Sequence, residues 1–136
     1  ISIPYEVRKD YFSFKRDEKE ENRLLKKLNP NNEPFLFLHD DPERDICSGP
    51  LKGQPCVIDR TYIKNKDLKI ITNDKSENIF HFAKILENAE EIHSMESSFK
   101  SLIEFLDTTT ESYYHDFRNQ PLGNYRIKDW EIIKYV

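Results

Sequence analysis

Two short polar clusters hold the side chains best suited to chemistry. His39, Asp40 and Asp41, with Arg44 three positions on, follow one apolar run, and Glu96, Ser97 and Ser98 follow another. Serines at the start of a helix lie beside free amide groups and the positive end of the helix dipole, an arrangement that holds a phosphate. Arg44 has the planar fork that clamps a phosphate with two parallel bonds. Asp40 and Asp41 admit three uses: a general base, acceptors for sugar or ribose hydroxyls, or, with His39, ligands for magnesium or manganese. Glu96 would repel an anion if it faced inward, so it either turns away or accepts from ligand hydroxyls. A plain structural reading stands beside each. Ser-Ser is a common helix cap, and Asp-Asp-Pro-Glu reads equally as a solvated turn in which Asp41 and Arg44 pair locally. A third cluster, His115-Asp116-Phe117-Arg118, follows a further strand-like segment.

These clusters matter only if the chain brings them together. Residues 35–38 (FLFL) form a continuous apolar run, as expected of a strand covered on both faces. Residues 91–95 read as another strand, leading through the serine corner into an amphipathic helix. Helices are also expected over 15–28, with Asp17 as its cap and Lys26 and Lys27 at its end, and over 77–88. Segments 56–63, 68–72 and 112–115 read as strands or strand-like pieces, 129–136 as a last strand or a helical turn leading into one, 29–34 and 119–124 as turns, and 1–14 as an extended lead-in. His93 is expected to be a satisfied core histidine and Trp130 a core residue, while only one of Tyr113 and Tyr114 should pack inward. Strands alternating with helices predict an α/β fold: one Rossmann-like domain over 1–136, with a small, mostly parallel sheet flanked by helices. Ligands in such sheets bind outside the carboxyl ends of the strands, which places all three clusters on one rim.

Composition narrows the classes. A chain of 136 residues is about one domain, and nine Phe, seven Tyr and one Trp supply core material despite 34% charged residues. The net charge of −4 argues against a dominant nucleic-acid surface. No apolar run approaches the ~20 residues of a transmembrane helix, and no signal peptide is visible. Cys47 and Cys56 lack CxxC or zinc spacing and read as reduced thiols, in keeping with a cytoplasmic location. The glycines form neither GxGxxG nor GxxxxGK. A start at Ile1 rather than Met suggests a piece of a longer protein.

The stretches IPYEVRKDYFSFKRDEKEE, FLFLHDDPER, NIFHFAKILENAEEIHSMESSFKSLIEFL, YYHDFR and DWEII, in this order, resemble one family across nearly the whole chain. It is the carboxyl-terminal, donor-binding half of GT-B-type, fucosyltransferase-like glycosyltransferases of bacteria and large viruses. The resemblance implies a nucleotide-sugar donor as substrate, a GDP-sugar among the candidates, with no cofactor and no bound metal. It places His39 and Arg44 near the diphosphate, Ser97 and Ser98 at its distal phosphate, and Asp40 or Asp41 on sugar or base hydroxyls. It also implies a glycan acceptor and an amino-terminal half, or a partner chain, to hold it. The family's corner carries Asp where this chain has Glu96. Two other readings are a non-catalytic Rossmann-like interaction module and a metal-dependent hydrolase using Asp40 and Asp41.

Overall fold

The structure, a computed structural model, describes residues 14–106, 108–119 and 128–135. The lead-in expected over 1–14, apart from Phe14, and most of the turn at 119–124 lie outside the described residues. The chain enters through helix α1 (Glu18–Leu28), whose N-cap Asp17 accepts from the Glu20 amide at 3.2 Å. Acidic residues fill its first turn and Lys26 and Lys27 its last, as the helix dipole favours. Strand β1 (Phe35–His39) follows, then a ribbon of β2 (Asp41–Asp45) and β3 (Pro55–Cys56). Strand β4 (Lys69–Thr72), helix α2 (Ala83–Asn88), strand β5 (Glu91–Ser94), helix α3 (Ser98–Phe105) and strands β6 (Glu111–Asp116) and β7 (Trp130–Lys134) complete the fold.

Five strands form one sheet in the order β4-β1-β5-β6-β7, every pair parallel. The expected α/β, Rossmann-like architecture is therefore present, and the order tells where a ligand belongs. From β1 the chain crosses to one neighbour, β4, then returns past β1 to pair on its other side with β5. That reversal is the topological switch point of a doubly wound sheet, and it opens a crevice at the carboxyl ends of β1 and β5.

Alternation along β1 builds two cores. Phe35 and Phe37 face the helices with Phe82, Ile92, Phe99, Ile103, Tyr114 and Trp130, while Leu36 and Leu38 face the opposite side with Ile46, Ile58, Ile63, Met95 and Phe117. Phe37, Phe82 and Phe99 pack ring to ring at 5.2–5.8 Å, so the first turn of α3 is seated against β1. Truncating any of these rings should cost about 3–5 kcal/mol. Helices cover one face. On the other lies the β1–β4 crossover, which among the described residues has no α-helix, only the ribbon and a 3₁₀ turn at Arg60–Tyr62.

Several local expectations change. The HDDPER segment does not end as a turn: Asp41 pairs with Cys56 and Asp45 with Pro55 in an antiparallel, bulged ribbon. The strand expected over 56–63 stops at Cys56, because Asp59 accepts from the Thr61 amide at 2.9 Å and starts the 3₁₀ turn. The helix expected over 77–88 begins as a 3₁₀ turn, Ile79–Phe82, capped by Asn78 on the Phe80 amide at 2.9 Å. Tyr113 and Tyr114 are both buried, since both faces of the sheet are covered. Tyr114 packs on Trp130, and Tyr113 stacks on His93 with ring centroids 4.6 Å apart. Trp130 is core, as expected.

Candidate functional site

The serine corner is built by the end of β5. The Met95 amide donates to the His39 carbonyl at 3.2 Å, tying the corner to the end of β1. Ser97 is the N-cap of α3: its hydroxyl accepts from the Phe99 amide at 3.2 Å and the Lys100 amide at 3.5 Å. The Ser97 hydroxyl is thus occupied by its own helix, and its role is to hold the corner's shape. The Ser98 hydroxyl has no partner among the described residues and is the one that can turn to a ligand.

Across the switch point, His39 is buried and its ring lies 4.6 Å from that of Phe99. Its Nδ1 lies 2.9 Å from Asn73 Oδ1, so Nδ1 carries the proton and Nε2 is left as an acceptor. Burial pushes its pKa below the usual histidine value, outweighing the Asn73 bond and the nearby aspartates. A phosphate oxygen can therefore bond this nitrogen only when a proton is taken up between them.

An open cleft of about 530 Å³ joins these elements. His39, Asp41, Arg44, Glu96, Ser97 and Ser98 all line it. Asp40 does not. The extended chain turns it the other way, where it is buried and its Oδ2 accepts from the Ile58 amide at 2.8 Å. Its observed task is to pin the cover of the opposite face. Asp41 pairs with Lys75 at 2.9 Å, and that ammonium holds its pKa below the usual carboxylate range. Lys75 also reaches Glu43 at 3.0 Å. Arg44 has no hydrogen bond or ion pair to another described residue. Glu96 accepts from the Tyr114 hydroxyl at 3.3 Å, with Lys100 Nζ at 4.0 Å.

Asn73, Asp74 and Lys75 line the same cleft. They follow β4, the other neighbour of β1, so the rule of carboxyl ends would have found them had the strand order been known. Asp74 and Glu77 add negative charge, but Lys27 reaches both, and Arg23 bonds Glu77 at 2.7 Å. The third cluster does not line this cleft, but His115, Phe117 and Arg118 share a small adjoining pocket with Arg44 and Glu96; Asp116 is buried, and Arg118 donates to the Cys47 sulfur at 3.7 Å. That bond lowers the pKa of the exposed Cys47 thiol.

A larger groove, about 660 Å³, opens at the opposite end of the sheet between Glu104, Thr108–Thr110, Lys128 and Trp130. It lies at the amino ends of β6 and β7, where open parallel sheets do not bind ligands, and the cleft at the switch point is the better candidate. No group of three or more His, Cys, Asp or Glu side chains among the described residues is placed to hold a metal ion. No helix among them is long and apolar enough to cross a membrane. Compared with protein-family models, with curated proteins and with solved structures, the chain matches none.

Proposed function

We propose that the cleft at the switch point binds the diphosphate of a nucleotide sugar, and that the chain is the donor-binding half of a GT-B-type, fucosyltransferase-like glycosyltransferase. One observation carries the reading: the strand order sets the Arg44 side and the serine corner on opposite flanks of one cleft at the carboxyl ends of β1 and β5. In this reading Arg44 clamps a phosphate oxygen, while the Ser98 hydroxyl and the first amides of α3 take the distal phosphate. Lys75 can leave Asp41 and Glu43 for the ligand. As an acceptor hydroxyl oxygen bonds to the sugar's anomeric carbon and its proton passes to solvent on the acceptor side, the carbon–oxygen bond to the diphosphate breaks and its electron pair leaves with the diphosphate. Fixed donors around that group lower the barrier by meeting the growing charge. The glycan acceptor enters from a second half or partner chain facing the rim.

Thermal unfolding with GDP, UDP and ADP tests the reading. A ligand at 1 mM with a Kd near 0.1 mM stabilises by about 1.4 kcal/mol, or roughly 4–5 °C for a chain of this size. Arg44→Ala and Ser98→Ala should each abolish the shift while leaving the unliganded melting temperature within about 1 °C. No shift with any of the three at millimolar concentration counts against it. A second reading, a non-catalytic interaction module, draws on Lys75 being held by two carboxylates and on Glu96 at the lip, both unfavourable to an anion.

A further inference from the structure

The face of the sheet opposite the helices buries a row of polar groups that the cleft does not use. Glu91 Oε2 lies 3.2 Å from His93 Nε2, His93 Nδ1 lies 2.8 Å from His115 Nε2, and His115 Nδ1 lies 2.7 Å from the Tyr135 hydroxyl. The Asp59 amide donates to that same hydroxyl at 2.9 Å. Both histidines are only 1% exposed, so water does not complete their bonding.

The ends of the row have fixed polarity. An ionised carboxylate only accepts, and a backbone amide only donates. Glu91 therefore takes the Nε2 proton of His93. A neutral His93 then has a bare Nδ1, which takes the Nε2 proton of His115. His115 in turn has a bare Nδ1, which takes the Tyr135 hydroxyl proton, and the Tyr135 oxygen takes the Asp59 amide. Every donor meets one acceptor and no site is left over.

The row ends on the cover of this face. Asp59 is held by Tyr135, and the preceding amide, Ile58, is held by Asp40. Two consecutive amides of the β1–β4 crossover are thus fastened, one to Asp40 just past the end of β1 and the other to Tyr135 just past the end of β7. The Tyr62 ring, from the same crossover, lies 5.3 Å from that of Tyr135 and 6.2 Å from that of His115.

We propose that Glu91, His93, His115 and Tyr135 form a proton-sensitive latch, with both rings as neutral Nε2–H tautomers, that fastens the crossover to the sheet and releases it when a ring is protonated. An added proton reverses the row. His115 would then point Nδ1–H at a Tyr135 oxygen already taking the Asp59 amide, and the Tyr135 proton would lose its acceptor. The groups facing the row pull both ways. Glu91 and Glu111 from the strands favour a charge on His93, and Asp59 from the crossover favours one on His115. Tyr113 stacks on His93, with Lys64 6.0 Å from the Tyr113 ring and Glu131 also near that tyrosine, while Asp40 lies near Tyr135. Burial prevails at His93, which is lowered, and burial with repulsion from His93 brings His115 down to about 3. The latch is closed at neutrality and opens in acid.

Long-range 1H–15N correlation spectra of the 15N-labelled protein read the tautomers directly. At pH 7 and at pH 5, both His93 and His115 should show a protonated Nε2 and a bare Nδ1. Tyr135→Phe keeps the ring and removes the hydroxyl, so hydrogen exchange at the Asp59 amide should quicken at least tenfold while the Phe37 amide of β1 is unchanged. On acidification, the Ile58 and Asp59 amides should lose protection before Phe37 does. An Nδ1–H tautomer or a cation on either ring at pH 7 would overturn the proposal. So would unchanged Asp59 exchange in Tyr135→Phe, or loss of protection at 58, 59 and 37 together in acid.

Discussion

Glu104 offers the sharpest test of how the serine corner is held. It lies near the end of α3, only 1% exposed, and accepts from Trp130 Nε1 at 2.7 Å and from the Lys128 amide at 2.7 Å. The largely buried Lys100 ammonium is 3.8 Å away. One carboxylate thus fastens α3, and with it the corner, to the start of β7. In Glu104→Ala, two donors lose their acceptor, each worth about 1–3 kcal/mol, and a buried cation loses one of its anions. The total is about 3–5 kcal/mol. Glu104→Gln keeps one acceptor but turns an NH₂ toward the other donor, so it should lose about half as much. Urea unfolding followed by tryptophan fluorescence measures both, and with a slope of about 1.5 kcal/mol per molar the alanine variant's midpoint should fall by roughly 2–3 M. If Glu104→Ala costs less than about 1 kcal/mol, Glu104 does not hold the corner.

Three further outcomes follow from the same physics. Gly49 has φ +85°, and a Cβ there would come within 2.5 Å of the Arg118 carbonyl oxygen, whereas at Gly53, φ +88°, it would meet open space. Gly53→Ala should cost about 1–2 kcal/mol for the left-handed backbone alone and Gly49→Ala clearly more; equal losses in thermal melts would contradict the packing. Ser97→Ala should cost about 1 kcal/mol as a lost cap, and Ser97→Asp, which can still accept from the Phe99 amide, should restore most of it in the same melts. For pH, His93 and His115 have folded pKa values below their unfolded value near 6.5, so the unfolded chain binds more protons in acid. Their contribution is complete well above that value and is lost as pH falls, by about 2 kcal/mol for His115 between 6.5 and 5, with His93 acting in the same direction. Urea midpoints that stay flat from pH 7 to 5 would refute this.

How much could be read beforehand depended on whether the cause was local. FLFL announced a strand covered on both faces because its apolar residues are consecutive. Ser97 announced a cap because capping involves residues only two or three apart. His39, Asp41, Arg44 and the serine corner were placed on one rim by the rule of carboxyl ends alone. What escaped notice depends on neighbours far along the chain. Lys75 joins the cleft because β4 lies beside β1, and no local pattern states that order. Asp40 looked like a partner of Asp41, yet alternation turns it to Ile58. His93 was legible as a core histidine, but its pairing with His115 follows from the parallel register of β5 and β6. The ribbon was missed because four of its five β2 residues are exposed and no apolar alternation marks it.

In the proposed function, the cleft between β1 and β5 takes a nucleoside diphosphate. The most direct measurement is a GDP titration of the 15N-labelled protein, followed by backbone amide shifts. Saturable changes should cluster at residues 39–44, 73–75 and 95–99. Changes confined to the groove at 108–112 and 128–131, or none at millimolar GDP, UDP and ADP, would contradict that reading.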